Sequence, residues 1–265
     1  MFYIQRITHH FRKRRWAKIR QAPFSEAWRE IIARRIPAYS RLDTAGQKRL
    51  EDWTQIFLAE KEFTGCDGLE MTDEIRVTIA AAACMLLVGF EDNQARCYPS
   101  LTSIFVYPQQ YERTTMRHFE GGLAIESDST ILGESWHRGP IVLSWCNVEM
   151  GLANDADGHN VVFHEFAHQL DDESGRTDGA PVLGDRRQYG PWARVLGTEY
   201  QKLVDAAMRH RKSSLDKYGA TNPAEFFAVV TEEFFEQPHQ LLRLHPDLYE
   251  QFKAFYKQDP AQQPK

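Results

Sequence analysis

The sequence predicts one α+β domain, mostly helical, with a short mixed sheet beside a helix that carries His164 and His168. Three observations predict it. Helical apolar periodicity fills the first third and the end of the chain. Two short β-rich runs, Ser103 to Tyr107 and Ile141 to Trp145, lie between. No linker is long enough to separate two independent domains. At 265 residues, with 42% hydrophobic and 26% charged residues, the chain can bury a full core, and collagen-like, mucin-like or wholly disordered classes are excluded.

Each element follows from local pattern. Residues 1–22 form a basic arm: residues 1–20 hold seven Lys and Arg and no acidic residue, so the rest carries 25 basic against 37 acidic residues. An acidic body argues against nucleic acid as a partner. The arm, interleaved with Phe2, Tyr3, Phe11 and Trp16, has the chemistry to touch a membrane surface or nucleic acid. A short cluster fits better a helix or frayed arm that meets the acidic body of its own chain. The body is expected over 23–260 and a disordered polar tail over 261–265.

Within the body, Ser25 to Ile36 reads as a short helix and Thr44 to Phe63 as a longer one with Leu50, Trp53 and Phe57 on one face. Thr72 or Asp73 caps a third, whose run Ile79 to Phe90 is apolar all round and therefore fully buried. The two strands are neighbours in the sheet. Asn160 to Leu170 follows as a helix, then a glycine-rich loop from Asp172 to Pro191, then helices near Trp192 to His210, Pro223 to Glu236 and His245 to Tyr256. No run reaches the roughly 20 apolar residues of a membrane span. No leader peptide is recognised, and the four cysteines are scattered. A cytoplasmic location is expected.

The chemistry concentrates in Val161-Val162-Phe163-His164-Glu165-Phe166-Ala167-His168. Histidines four apart share a helix face, so both imidazoles can reach one Zn²⁺, with Glu165 beside them to take a proton from water. Imidazoles and a carboxylate on so apolar a helix are costly to bury with no ion to hold them. A catalytic site needs a third protein ligand. Glu225, near the start of an apolar helix, is the choice, although Asn222, Pro223 and Glu225 also resemble a capping box that would use the carboxylate locally. Glu232, one heptad later, is the alternative ligand or a partner that holds an imidazole, and His159 is an outside candidate. Asp171 or Asp172 can hold the far nitrogen of a ligating imidazole. Tyr218 can donate to an oxyanion, or simply pack.

Several blocks together resemble the Mlc titration factor A family, cytosolic bacterial zinc-dependent peptidases of the gluzincin type. They are Gly68-Leu69-Glu70-Met71-Thr72-Asp73-Glu74, Gly133-Glu134-Ser135-Trp136 through Gly139-Pro140-Ile141-Val142-Leu143-Ser144-Trp145, the H-E-F-A-H-x-L-D block ending at Asp171, Asp178-Gly179-x-Pro181, and Asn222-Pro223-Ala224-Glu225-Phe226-Phe227-Ala228. The likeness covers about Pro23 to Pro260. It implies a zincin-like metallopeptidase domain with one Zn²⁺ per chain on His164, His168 and Glu225, and Glu165 as general base. It also implies a peptide or protein substrate. An aminopeptidase-like activity is the narrower expectation.

The same segment is similar to the catalytic domain of anthrax lethal factor, in which a tyrosine seven residues before the ligand glutamate faces the reacting carbonyl. Tyr218 stands at that distance. Val229 replaces that domain's acidic residue four positions after the ligand, and Ile125 stands where some titration factors carry an extra histidine. The family further implies binding of the glucose repressor Mlc and regulation of the glucose phosphotransferase system. The rival reading is a regulatory binding protein that sequesters a transcriptional repressor, with peptidase activity secondary.

Overall fold

The computed structural model describes residues 2–91, 97–109, 111–118, 124–131, 133–135 and 139–263, with side chains for 12–91, 97–109 and 139–263. Trp136 of the Gly-Glu-Ser-Trp block lies outside the described residues, as do the side chains of Phe2, Tyr3 and Phe11.

The chain begins with helix α1 (Phe2–Gln21), so the basic arm is helical. It docks through Trp16, which is buried, meets Trp53 edge to face at 5.3 Å and donates from Nε1 to Glu60 Oε1 at 2.8 Å. Helices α2 (Glu26–Arg35), α3 (Pro37–Arg41) and α4 (Thr44–Glu60) follow. Asp43 caps α4 by accepting from Gly46 N, and α1 packs along α4.

The expected helix over Thr44 to Phe63 stops at Glu60. Glu62–Gly65 is instead strand β1, whose edge is filled by strand β2 (Ser103–Tyr107) with Phe63 opposite Ile104. Phe63 still packs on Phe57, at 6.1 Å between ring centroids, so the apolar spacing was real but the backbone pairing changed.

Thr72 caps α5 (Asp73–Met85) by accepting from Ile75 N. Of the run expected to be fully buried, Ile79 to Val88 is, whereas Gly89 and Phe90 are half-buried, and the helix gives way to turns after Met85. Strands β3 (Tyr111–His118) and β4 (Ala124–Ile131) pair antiparallel, with Tyr111 opposite Ile131. Ile125 falls on β4. Strand β5 (Gly133–Ser135) pairs antiparallel with β6 (Ile141–Ser144), and β6 runs parallel to β2. The main sheet is therefore mixed and ordered β1-β2-β6-β5. The expected strand Ile141 to Trp145 ends one residue early because the Ser144 hydroxyl accepts from Asn147 N and starts α6 (Trp145–Ala153).

Helix α7 (Val161–Asp172) crosses near β5 and β6 and packs against α9 (Pro223–Glu236). The intervening chain forms α8 (Tyr189–Met208), which begins inside the expected loop, since Pro191 in a first turn gives up an N–H that needs no helical partner. Helices α10 (Pro238–Leu244) and α11 (Pro246–Tyr256) each start at proline. An aromatic cluster ties this half together: Trp192 stacks on Phe252 at 5.5 Å, and Phe234 stacks on Tyr256 at 5.7 Å.

Regular structure continues past the expected boundary at 260, into residues 261 and 262. Pro260–Gln262 is a short 3-10 helix, Ala261 is buried, and its N–H donates to Tyr249 Oη at 3.0 Å. No helix among the described residues is long and apolar enough to cross a membrane.

Candidate metal centre

Asn160 starts the zone of interest. Its Oδ1 accepts from Val162 N and Phe163 N at 3.1 Å each, satisfying two of the orphan donors at the start of α7. The apolar residues Val162, Phe163, Phe166 and Ala167 then lock α7 into the core, with Phe166 against Phe57 and Tyr98. That packing fixes the rotation of the helix and turns His164 and His168 toward α9. Asn222 caps α9 in the same manner, accepting from Ala224 N and Glu225 N, with Pro223 as first residue.

The cap leaves the Glu225 carboxylate free of local duty. Its Oε2 lies 2.9 Å from His164 Nε2 and 3.4 Å from His168 Nε2, and the two imidazole Nε2 atoms are 3.3 Å apart. Asn222 and Pro223 take the capping roles, and Glu225 faces the histidines. Glu232 reaches His164 from the other side: His164 Nδ1 donates to Glu232 Oε1 at 2.8 Å.

Other expected residues fall elsewhere. His159 is exposed, 3.7 Å from Asp216, and away from the cluster. Asp171, expected to hold an imidazole nitrogen, is fully buried and accepts from Gly179 N at 2.7 Å. His168 Nδ1 is buried and has no hydrogen-bond partner among the described residues. Asp172 accepts from Thr177 Oγ1. The Asp171 bond has its own logic. Gly179 sits at φ +76°, and a Cβ there would come within 2.4 Å of Pro223 O, so only glycine lets this loop run beside the start of α9.

Electrostatics divide the carboxylates. Burial would raise Glu225, but hydrogen bonds from His164 and His168 outweigh it and hold the group down at about 2. Burial likewise works against a charged His164, and its bonds to Glu225 and Glu232 overcome that and push it up. Glu165 is the opposite case. Almost wholly buried, with Oε2 unpartnered, it is raised by desolvation to about 7 despite the neighbouring histidines. A carboxyl poised there exchanges a proton readily near neutral pH.

Tyr218, on the short 3-10 turn Lys217–Ala220, lies with its ring 5.8 Å from the His164 ring. Tyr218 is more than half exposed, and the desolvation of its inner part, then the charges of Glu225, Glu165 and Glu232, lift its phenol to about 12, so it stays a donor at neutral pH. A cavity of about 340 Å³ opens beside the cluster, lined by His168, Glu225, Asp172, Thr177 and Asp178 among others.

The donor set can be tested against a cation. Bonds of about 2.0–2.1 Å in a tetrahedron put ligand atoms about 3.3 Å apart. The observed separations of 2.9, 3.3 and 3.4 Å bracket that edge. Among the described residues this is the group able to hold a metal, two imidazoles and one carboxylate that leave a fourth position open. Asn160, Gly158 and Glu236, which are hydrogen-bonded around Glu232, were not anticipated. Asparagine before an apolar run was visible as a cap, but its link to Glu236 spans 76 residues and has no local signature.

Comparison with known proteins gives the family. The family model described as glucose-regulated metallo-peptidase M90 matches residues 9–257. An uncharacterised protein of Synechocystis is 40% identical over 241 residues, covering 91% of this chain and 86% of that one. Mlc titration factor A of Serratia proteamaculans is 32% identical over 243 residues, covering 91% and 90%. Mlc titration factor A of Klebsiella pneumoniae is 32% identical over 240 residues, covering 89% and 87%. With a match across nearly the whole body, on a fold that joins two histidines of α7 to a glutamate of α9, the chain belongs to the M90 metallopeptidase family, to which the likeness to Mlc titration factor A had pointed.

Proposed function

We propose that this protein hydrolyses peptide bonds with one zinc ion per chain held by His164, His168 and Glu225, and with Glu165 as general base. The observation that carries the reading is the cluster itself: three donor atoms at tetrahedral spacing beside the buried Glu165 carboxyl. When bound, zinc lowers the pKa of water from about 15.7 toward 7 and polarises the scissile carbonyl. Glu165 takes the proton from the attacking water and passes it to the leaving amine. Tyr218 donates its phenolic proton to the developing oxyanion as a hydrogen bond. Glu232 accepts from His164 Nδ1 and so leaves Nε2 as the nitrogen that faces the ligand position.

The open cavity beside His168 receives the peptide, and an aminopeptidase-like preference is the narrower version of this reading. Four free cysteines suit work in the reducing cytoplasm. A second reading rests on the relatives' printed name. Mlc titration factor A is named for its action on Mlc. Binding of an Mlc-type repressor, and through it regulation of the glucose phosphotransferase system, is the corresponding activity here.

The test combines metal analysis with peptidase and binding assays. Wild type is expected to hold one zinc and cleave peptides. Glu165→Gln is expected to keep zinc and any repressor binding and to lose turnover. No zinc after chelator-free purification and after reconstitution would overturn the proposal. Zinc with no turnover on any peptide library would leave the regulatory reading in its place.

A further inference from the structure

We infer that Asn160 and Glu236 are positioning residues for the metal centre, acting through Glu232; the inference rests on the zinc reading above. Glu232 has two oxygens with different duties. Oε1 takes the His164 Nδ1 proton, while Oε2 accepts from Asn160 N at 2.5 Å. Asn160 is thus bound to the imidazole through one carboxylate. Its side chain is bound as well: Oδ1 caps α7, and Nδ2 donates to Glu236 Oε1 at 2.9 Å. Glu236 Oε2 in turn accepts from Gly158 N at 3.1 Å. All three of Asn160, Glu232 and Glu236 are more than nine-tenths buried.

The network therefore clamps one loop between two helices. The loop residues Gly158 to Asn160 are held by α9 through Glu232 and Glu236, and the same Asn160 sets the first turn of α7, one turn before His164. Gly158 makes the approach feasible. It sits at φ +80°, and a Cβ there would meet Glu233 Oε1 at 3.1 Å. Without the Asn160–Glu236 bond, Glu232 keeps its acceptor oxygens but loses the fixed loop that orients one of them. The Glu232 carboxylate that holds His164 Nδ1 is then less firmly oriented, and a ligand sphere whose outer partner is loosened binds metal less tightly.

The experiment measures zinc affinity by competition with a chelator of known affinity, together with the thermal midpoint of the zinc-free protein. Glu236→Ala removes both acceptors, and Asn160→Ser removes the Nδ2 donor while its hydroxyl still caps α7. Each is expected to raise the zinc Kd about tenfold, the lower end of what lost ligand-supporting contacts cost. Glu236→Gln, whose one carbonyl oxygen can satisfy one of the two donors, is expected to fall between. Leu248→Ala, a cavity variant on α11, serves as a stability-matched control that keeps wild-type affinity.

Zinc Kd within twofold of wild type in Glu236→Ala overturns the inference, as does an equal loss in Leu248→Ala. Should Glu236→Ala fail to fold, Asn160→Ser and Glu236→Gln decide by the same criterion. Failure of the underlying zinc reading looks different: wild type itself then binds no zinc. If Glu232→Ala weakens binding and the Asn160 and Glu236 variants do not, the zinc reading stands and this network alone is rejected.

Discussion

Helix α9 carries glutamates at both ends, and the two ends treat the same side chain in opposite ways. At its start, Glu225 meets two imidazoles and is held at about 2, a permanent anion. At its finish, burial with little cationic company lifts Glu233 to about 7 and Glu236 to about 8. The difference teaches that burial alone does not decide the charge of a carboxyl; the partner does. Paired with histidines, the carboxylate is available to a cation. Paired with a backbone N–H and an amide, as Glu236 is, it anchors the loop that leads into α7.

The largest expected effect tests the anionic end. A direct ligand supplies one of only three protein bonds, so Glu225→Ala should reduce zinc affinity by well over the about 10- to 100-fold typical of a carboxylate that supports a ligand, which is what Glu232→Ala should cost. The measurement is zinc content and competition affinity of both variants side by side. Zinc retained in Glu225→Ala and lost in Glu232→Ala would exchange the roles of the two residues and break the contrast drawn here.

A smaller effect is expected at Tyr218, whose phenol faces the field of Glu225, Glu165 and Glu232. Tyr218→Phe should lower kcat by about ten- to a thousandfold, as lost oxyanion donors do, with zinc content unchanged. An unchanged kcat would make the ring a packing contact over His164 and no more.

The local parts of this arrangement were legible in the sequence because they depend on one helix at a time. Spacing of four puts His164 and His168 on one face, Asn222 and Pro223 mark the start of α9, and spacing of seven relates Glu225 to Glu232. What closes the site between helices was not legible from spacing. Asp171, three residues after His168, has the reach to hold its ring, yet the loop after α7 returns Gly179 N to it first. Glu236 showed nothing that distinguishes it from a solvated glutamate, since its partners Gly158 and Asn160 are remote in sequence. Likewise Phe63 kept helical spacing while its backbone joined β2, because a neighbouring strand offers hydrogen bonds that periodicity cannot register. The pairing of Glu225 with the histidines was readable mainly through likeness to a family, since a capping box accounts for the same local pattern.

The smallest effect tests the other end of α9 through pH. Glu233 is raised to about 7 by burial first and then by the charges of Glu232 and Asp216, with a hydrogen bond from Gln240 opposing. Its ordinary value is 4.5, so between pH 4.5 and about 7 the folded chain binds more protons than the unfolded one. Stability from this group therefore falls as pH rises through that window, and the full penalty is present above it. At about 1.4 kcal/mol per pH unit the penalty cannot exceed about 3.5 kcal/mol, and relaxation of the protein around the charged form brings it to about 1–2 kcal/mol. Glu233→Gln removes the titration but keeps the shape. An amide in that pocket brings a constant offset of its own, so the informative quantity is the change in the gap between variant and wild type across pH. Measured by thermal unfolding of the zinc-free protein, the variant should gain about 2–6 °C on wild type between pH 5 and pH 8. Parallel curves across that range would place Glu233 in the same charged state as Glu225 and erase the contrast between the two ends of the helix.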